Sequence, residues 1–106
     1  MDQPNWFAVR VVLRHLDPPV YEERITLWQA TDFEEADRLA TAESHEYAAA
    51  LGSVESLVFS QAYQLFDSPG PGREVFSLMR ESSLGPEAYL STFFDTGKER
   101  QRPLLD

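Results

Sequence analysis

The sequence predicts an α+β fold in the order strand-strand-helix-strand-strand-helix, with a four-stranded antiparallel sheet and a long helix across one face. Three observations support this prediction. Two neighbouring segments in the first third of the chain alternate with period two and are separated by prolines. A long segment with helical periodicity follows them. Two β-favouring segments then lie on either side of a loop rich in proline and glycine.

The first two strands are predicted from this alternation. Over residues 6–15, one face of an extended chain would carry Phe7, Val9, Val11 and Leu13. The sequence Asp17-Pro18-Pro19 ends the strand, because proline has no backbone N–H to donate and restrains the residue before it. Residues 21–30 alternate again, so the two strands should pair as a hairpin.

The long helix is predicted to begin at Thr31 or Asp32 and to end at Gly52. Thr31 with Glu34, and Asp32 with Glu35, form two overlapping capping boxes, in which each side chain accepts the other residue's free backbone N–H. Glycine is a common left-handed stop. The side chains expected on the packed face of the helix are Phe33, Ala36, Ala40, Tyr47 and Leu51.

The second half of the chain predicts another hairpin and a shorter helix. Residues 54–67 favour β-structure and carry apolar side chains on both faces, which indicates a third strand that is central or lies in a subunit interface. Residues 67–72 have the composition of a loop, and residues 74–81 would form the returning strand. The second helix is expected to begin near Pro86, since proline suits the first helical position, and to end at Gly97.

Residues 1–106 are sufficient for a single α+β domain with one hydrophobic core. Residues 98–106 form a mixed-charge tail that we expect to fray or to lie on the surface. The long helix would cover one face of the sheet, whereas the other face would leave many aromatic and aliphatic side chains in water. This arrangement predicts a homodimer; the alternative is a monomer whose last helix closes the sheet.

The charge balance disfavours two classes of partner. With 18 acidic and 9 basic residues the formal net charge is −9, which repels nucleic-acid phosphates and anionic lipid surfaces. Nucleic acid and membranes are therefore not expected partners. The first residues lack the basic and apolar regions of a signal peptide, and no apolar run approaches the ~20 residues needed to cross a bilayer. We therefore expect a cytoplasmic protein.

Motifs for catalysis or metal binding are missing from the sequence. The chain has no cysteine, which excludes disulfides and thiolate chemistry. His15 and His45 are far apart and have no companion at ligand spacing, so no metal site is expected. No Gly-x-Ser-x-Gly sequence occurs. We predict no catalytic residue and no cofactor.

Glu43 is the first candidate site residue, because it falls on the apolar face of the long helix one turn before Tyr47. A buried carboxylate is costly unless it is paired or protonated. One interpretation is a structural carboxylate bonded to Tyr47, to an arginine of the sheet or to water. The other is a carboxyl group with a raised pKa that serves a pocket between sheet and helix.

Four arginines are predicted to share one strand face: Arg10, Arg14, Arg24 and Arg80. Clustered guanidinium groups in an acidic protein could hold a carboxylate or phosphate ligand. Alternatively, these arginines pair with acidic residues such as Asp95, which would itself cap the second helix, and hold the sheet together. The candidate binding residues are therefore Arg10, Arg24, Glu43, Tyr47, Arg80 and Asp95.

Five segments carry a family resemblance and together span nearly the whole chain: residues 6–10, 21–28, 43–47, 75–80 and 93–97. In these segments the chain resembles the small bacterial proteins grouped as domain of unknown function 4288. The resemblance implies a bacterial source. It implies no activity, cofactor or binding residue.

Two hypotheses of function remain open from the sequence. The first is a small acidic interaction module, self-associating, with an immunity-like or accessory role that occludes a protein partner with a basic surface. The second is a small-molecule-binding protein or cofactor-free enzyme, with a pocket between the sheet and the long helix. A deep cavity at Glu43 and Tyr47 would favour the second hypothesis.

Overall fold

The computed structural model describes residues 5–99 of the chain. This range forms an α+β fold with a three-stranded antiparallel sheet and two helices. The elements are β1 (Asn5–Leu16), β2 (Pro19–Ala30), α1 (Phe33–Leu51), β3 (Val54–Gln64) and α2 (Pro86–Phe93). Strand β1 is central, and the order in the sheet is β2-β1-β3.

Strands β1 and β2 form the predicted hairpin. Their register runs from Leu16 opposite Pro19 to Asn5 opposite Ala30, and only Asp17 and Pro18, joined by a cis peptide bond, connect the two strands. Because residues directly opposite each other point to the same side of a sheet, odd-numbered residues of β1 share a face with even-numbered residues of β2.

Helix α1 has the predicted ends. The Asp32 side chain accepts the Glu35 N–H at 2.8 Å, which is one half of the predicted capping box. The Glu35 carboxylate accepts the N–H of Thr31, and not that of Asp32, at 2.7 Å. The helix ends at Gly52, whose φ of 94° lies in the left-handed region that favours glycine. The Gly52 N–H donates to the Ala48 carbonyl at 3.2 Å.

The core lies between β1 and α1. Phe7, Val9, Val11 and Leu13 of β1 are buried together with Ala36, Ala40 and Ala48 of α1. The buried side of α1 is a stripe with a spacing of four residues that also contains Ser44. Phe33 and Leu51 remain 50% and 49% exposed, so the packed face predicted for α1 is only partly correct. Small side chains on this stripe allow α1 to approach the bulky residues of β1 closely.

The predicted four-stranded sheet crossed by the long helix is wrong, because residues 74–81 pair with no strand in the described part of the chain. Strand β3 is irregular in its middle: Val11 is opposite Ser60, but Leu13 is opposite Ser56. The extra residues form a bulge in which Val58 is fully exposed. A bulged edge strand is a poor template for a further strand, which explains why the second hairpin does not form.

Residues 74–94, which we call the arm, leave the sheet after the loop that follows β3. The arm contains α2, which begins at Pro86 as predicted but ends at Phe93, four residues before Gly97. No Cα atom of α2 comes within 8 Å of a Cα atom of α1 or of any strand. The radius of gyration is 16.0 Å, against about 13 Å for a compact chain of this length.

The tail was predicted to comprise residues 98–106, and of these residues 100–106 lie outside the described part of the chain. Within residues 5–99, no helix combines the length and the apolar character required to cross a membrane.

Candidate functional site

The structure separates the six predicted site residues into three places. Arg24 lies opposite Val11 in the β1–β2 register, so it shares the face of the sheet that carries the core and α1. Arg10 lies on the other face, which we call the open face. The prediction that Arg10 and Arg24 share one face is therefore wrong. Glu43 and Tyr47 lie with Arg24, whereas Asp95 follows α2.

Arg24, Glu43 and Tyr47 form a compact group between β2 and α1. The Arg24 guanidinium donates two hydrogen bonds to the Glu43 carboxylate, with Nη1–Oε1 at 2.8 Å and Nη2–Oε2 at 3.2 Å. The same guanidinium lies 3.7 Å from the centre of the Tyr47 ring, within cation–π range. The hydrogen bonds to Glu43 raise the pKa of Arg24, so this arginine stays charged. These contacts match the interpretation of Glu43 as a carboxylate bonded to an arginine of the sheet.

Glu22 extends the group along β2. Tyr47 donates its hydroxyl hydrogen to the Glu22 carboxylate at 2.9 Å, and His15 Nε2 lies 2.8 Å from Glu22 Oε1. Burial raises the pKa of Glu22. The hydrogen bonds from His15 and Tyr47, with the charges of His15 and Arg24, outweigh burial and leave this pKa below its usual value. The network therefore favours the ionised form of the Glu22 carboxylate, which suits a structural link between sheet and helix.

The open face carries a second group around Arg10. Arg10 Nε donates to Gln61 Oε1 at 2.9 Å, and Arg10 Nη1 lies 3.6 Å from Glu23 Oε1. The guanidinium also lies 5.4 Å from the centre of the Phe76 ring. The Phe76 ring packs against Tyr63, with the ring centres 6.0 Å apart. The first residues of the arm are thus attached to the open face of the same chain.

A groove of about 880 Å³ separates the open face from the rest of the arm. Its sheet side is lined by Arg10, Val12, Glu23 and Phe59. Its other side is lined by residues of the arm, Phe76, Leu78, Arg80, Tyr89, Thr92, Phe93 and Phe94, and by Thr96 and Glu99, which follow the arm. Two cations and two carboxylates are therefore mixed with aromatic rings in one groove. Such a composition is typical of a protein interface and less typical of a small-molecule site.

Arg80 lies in the arm and interacts with aromatic side chains there. It donates a hydrogen bond to the Tyr89 hydroxyl at 2.8 Å, and its guanidinium lies 4.1 Å from the centre of the Phe93 ring. Within residues 5–99 it forms no ion pair. The backbone N–H of Asp95 donates to the Leu90 carbonyl at 2.7 Å, as expected of a residue that ends a helix.

The arm exposes a long series of apolar side chains. The exposed members are Val75 (38%), Leu78 (48%), Met79 (95%), Leu84 (44%), Leu90 (53%), Phe93 (41%) and Phe94 (58%). On the open face, Tyr21, Ile25 and Leu27 are also exposed. Monomeric soluble proteins rarely leave contiguous apolar surface of this extent in water.

A cavity of about 340 Å³ lies between α1 and the bulge of β3. The fully buried Ser44 places its hydroxyl 2.6 Å from that of Ser56, and the Ser60 hydroxyl donates to Asp37. The sequence prediction does not include these polar residues. Their signal is the position of Ser44, which lies four residues from both Ala40 and Ala48 on the packed side of α1.

No group of three or more metal-ligating side chains occurs in the part of the chain that the structure describes. Comparison of the chain with protein-family models, with curated proteins and with solved structures found no match. The site must therefore be interpreted from its own geometry.

Proposed function

We propose that this protein is a cytoplasmic protein–protein interaction module that associates with itself and has an accessory, immunity-like role toward a protein with a basic surface. The observation that carries this proposal is the arm, whose apolar side chains lie in water while α2 stands away from the body of the same chain. Apolar surface of this kind is stabilised when another protein covers it. As part of the same proposal, we assign the chain to the proteins grouped as domain of unknown function 4288, which it resembles.

The charge of the chain supports a basic partner. The net charge is −9, and α1 presents Glu34 and Glu46 on its exposed side without an ion pair among the described residues. A surface of one sign attracts a partner of the opposite sign at a distance and accelerates association. The acidic side of α1 is separate from the open face, so a basic protein and a second copy of this chain would use different surfaces.

Capture experiments at graded salt test the role toward a basic partner. The immobilised wild-type protein is incubated with lysate of the source organism, and a Glu34→Lys/Glu46→Lys variant serves as the matched control. We expect a specific basic protein that the wild type retains at low salt, that salt releases, and that the variant fails to retain. Retention of the same proteins by both forms, or of none by either, would contradict this role.

The cavity between α1 and β3 favours a second candidate function, a small-molecule-binding protein with its pocket between sheet and helix. The residues that line the cavity include Ser44, Ser56 and Ser60, together with Asp37 and His45. A polar ligand that enters it would protect the protein against thermal unfolding. A screen of polar metabolites by thermal shift, repeated on Ser60→Val, tests this candidate; a shift seen equally in both forms would contradict it.

A further inference from the structure

The arm and the open face are two apolar surfaces that the same chain leaves unburied, and together they are large. The solvent-accessible area of the chain is 8437 Å², whereas a compact monomer of this mass exposes about 6,000 Å². The excess is about 2,400 Å², and a stable interface buries roughly 800 Å² from each partner. This excess belongs to the whole chain, and the exposed apolar side chains of the arm and the open face contribute to it.

The charges in the groove are balanced in a way that suits a second copy of this chain. Arg10 and Arg80 line it together with Glu23 and Glu99. A strongly basic partner segment would be repelled by the two arginines, and a strongly acidic segment would be repelled by the two glutamates. A second copy brings the same mixed set, so that an arginine of one copy can face a glutamate of the other, with the reverse pair formed across the twofold axis. Arg80 in particular has no carboxylate partner among residues 5–99.

The bulge in β3 makes the face of the sheet a better docking surface than the edge that β3 forms. An added strand needs a regular row of free backbone groups, which the interrupted register at Ser56 and Ser60 does not offer. The open face instead offers the exposed side chains of Tyr21, Ile25 and Leu27. Apolar side chains of an arm can pack on these residues without a matched register.

We propose that two copies of this chain exchange their arms, so that the open face of each copy packs against the Leu90, Phe93 and Phe94 side chains of the other. This inference rests on the proposed self-association and adds its geometry. Each arm then covers the partner's Ile25 and Leu27, and both copies use the same surface, as a twofold dimer requires. Arm exchange also explains why α2 makes no close backbone approach to its own sheet.

Cross-linking between two single-cysteine variants tests the exchange, because the natural chain contains no cysteine. Leu90→Cys in α2 is mixed with an isotope-labelled Ile25→Cys variant, which carries its thiol on the open face. A short bismaleimide is added, and mass spectrometry identifies links between the two chains. The matched control replaces Ile25→Cys with Ala49→Cys, since Ala49 is exposed on α1, away from the open face.

We expect the Leu90–Ile25 link to form at least ten times as efficiently as the Leu90–Ala49 link. Sedimentation of the same samples gives the oligomeric state independently. A dimer without preference for the Ile25 position would overturn the arm exchange and leave self-association intact. A monomer that forms neither link would overturn both.

A second pair of variants tests the proposal independently, in case the cysteine variants do not fold. Met79→Ser/Phe94→Ser removes two exposed apolar groups of the arm, whereas Val58→Ser removes a fully exposed apolar group of the β3 bulge. We expect the arm variant to raise the dimer dissociation constant roughly tenfold or more, and Val58→Ser to leave it unchanged. Equal dissociation constants for the arm variant and the wild type would overturn the proposal.

Discussion

Arg24 of β2 and Glu43 of α1 form a two-point ion pair, with Nη1–Oε1 at 2.8 Å and Nη2–Oε2 at 3.2 Å. The Tyr47 ring lies beneath the guanidinium, and the Tyr47 hydroxyl donates to Glu22. This group joins α1 to the edge strand β2, whereas the apolar core joins α1 mainly to β1. The polar network therefore adds a link between α1 and β2 beside the apolar core, against which Tyr47 also packs.

Replacement of Glu43 should destabilise the fold. Glu43→Ala leaves the partly buried Arg24 guanidinium without its acceptors, and we expect the free energy of unfolding to fall by about 1–2 kcal/mol. Urea denaturation measures this change. Glu46→Ala is the matched control, because Glu46 is exposed on the same helix, and it should change the free energy by less than ~0.5 kcal/mol. Equal losses in both variants would show that the ion pair contributes nothing.

Glu22 should make stability depend on acidity. Its pKa lies below the usual 4.5 in the folded protein, so the unfolded chain binds a proton more readily than the folded one. The stabilisation that ionised Glu22 provides is complete above the pKa that Glu22 has in the unfolded chain. It is lost as the pH falls from that value through the lower pKa that Glu22 has in the folded protein. The wild type should therefore lose more stability between about pH 5 and about pH 3 than Glu22→Gln does. Urea midpoints measured across this range check the prediction, and parallel curves for the two proteins would contradict it.

The losses of stability caused by replacing Ser44 and Ser56 should be coupled. Ser44 is fully buried, and its hydroxyl lies 2.6 Å from that of Ser56. Ser44→Ala leaves one polar group without its partner, so we expect a loss of about 1 kcal/mol, and a similar loss for Ser56→Ala. The double variant should lose less than the two single losses combined. Thermal unfolding of the four proteins gives the coupling, and strictly additive losses would argue against it.

The stability of the first turn of α1 should depend on the Asp32 side chain. This side chain accepts the Glu35 N–H at 2.8 Å, and its removal leaves a backbone donor without its partner at the start of the helix. Asp32→Ala should cost about 1 kcal/mol, whereas Asp32→Ser, which retains an acceptor, should cost less than half of that. Unfolding free energies of the two variants test this prediction. Equal losses would show that the capping bond does not contribute.

The hairpin of β1 and β2 and the limits of α1 could be predicted because local sequence determines them. Proline ends β1, the Thr31-to-Glu35 sequence starts α1, and Gly52 stops it. The face on which Arg24 lies could also have been predicted. A two-residue turn after Leu16 fixes the register, and this register places Arg24 opposite the core residue Val11.

The position of residues 74–81 in the fold could not be predicted from their own sequence. Alternation specifies which side chains share a face of an extended segment, but it does not specify what that segment contacts. The bulge at Val58 changes the neighbouring edge, and its position follows from how β3 packs against α1 and β1. The pairing of Ser44 with Ser56 likewise depends on tertiary contact between α1 and β3.

Sedimentation equilibrium at graded salt tests the central claim, that this chain associates with itself. We expect a mass twice that of the 12.1 kDa chain. The dissociation constant should fall as salt rises, because salt screens the repulsion between two copies that each carry a net charge of −9. A 12.1 kDa species at every concentration and salt level would contradict the account.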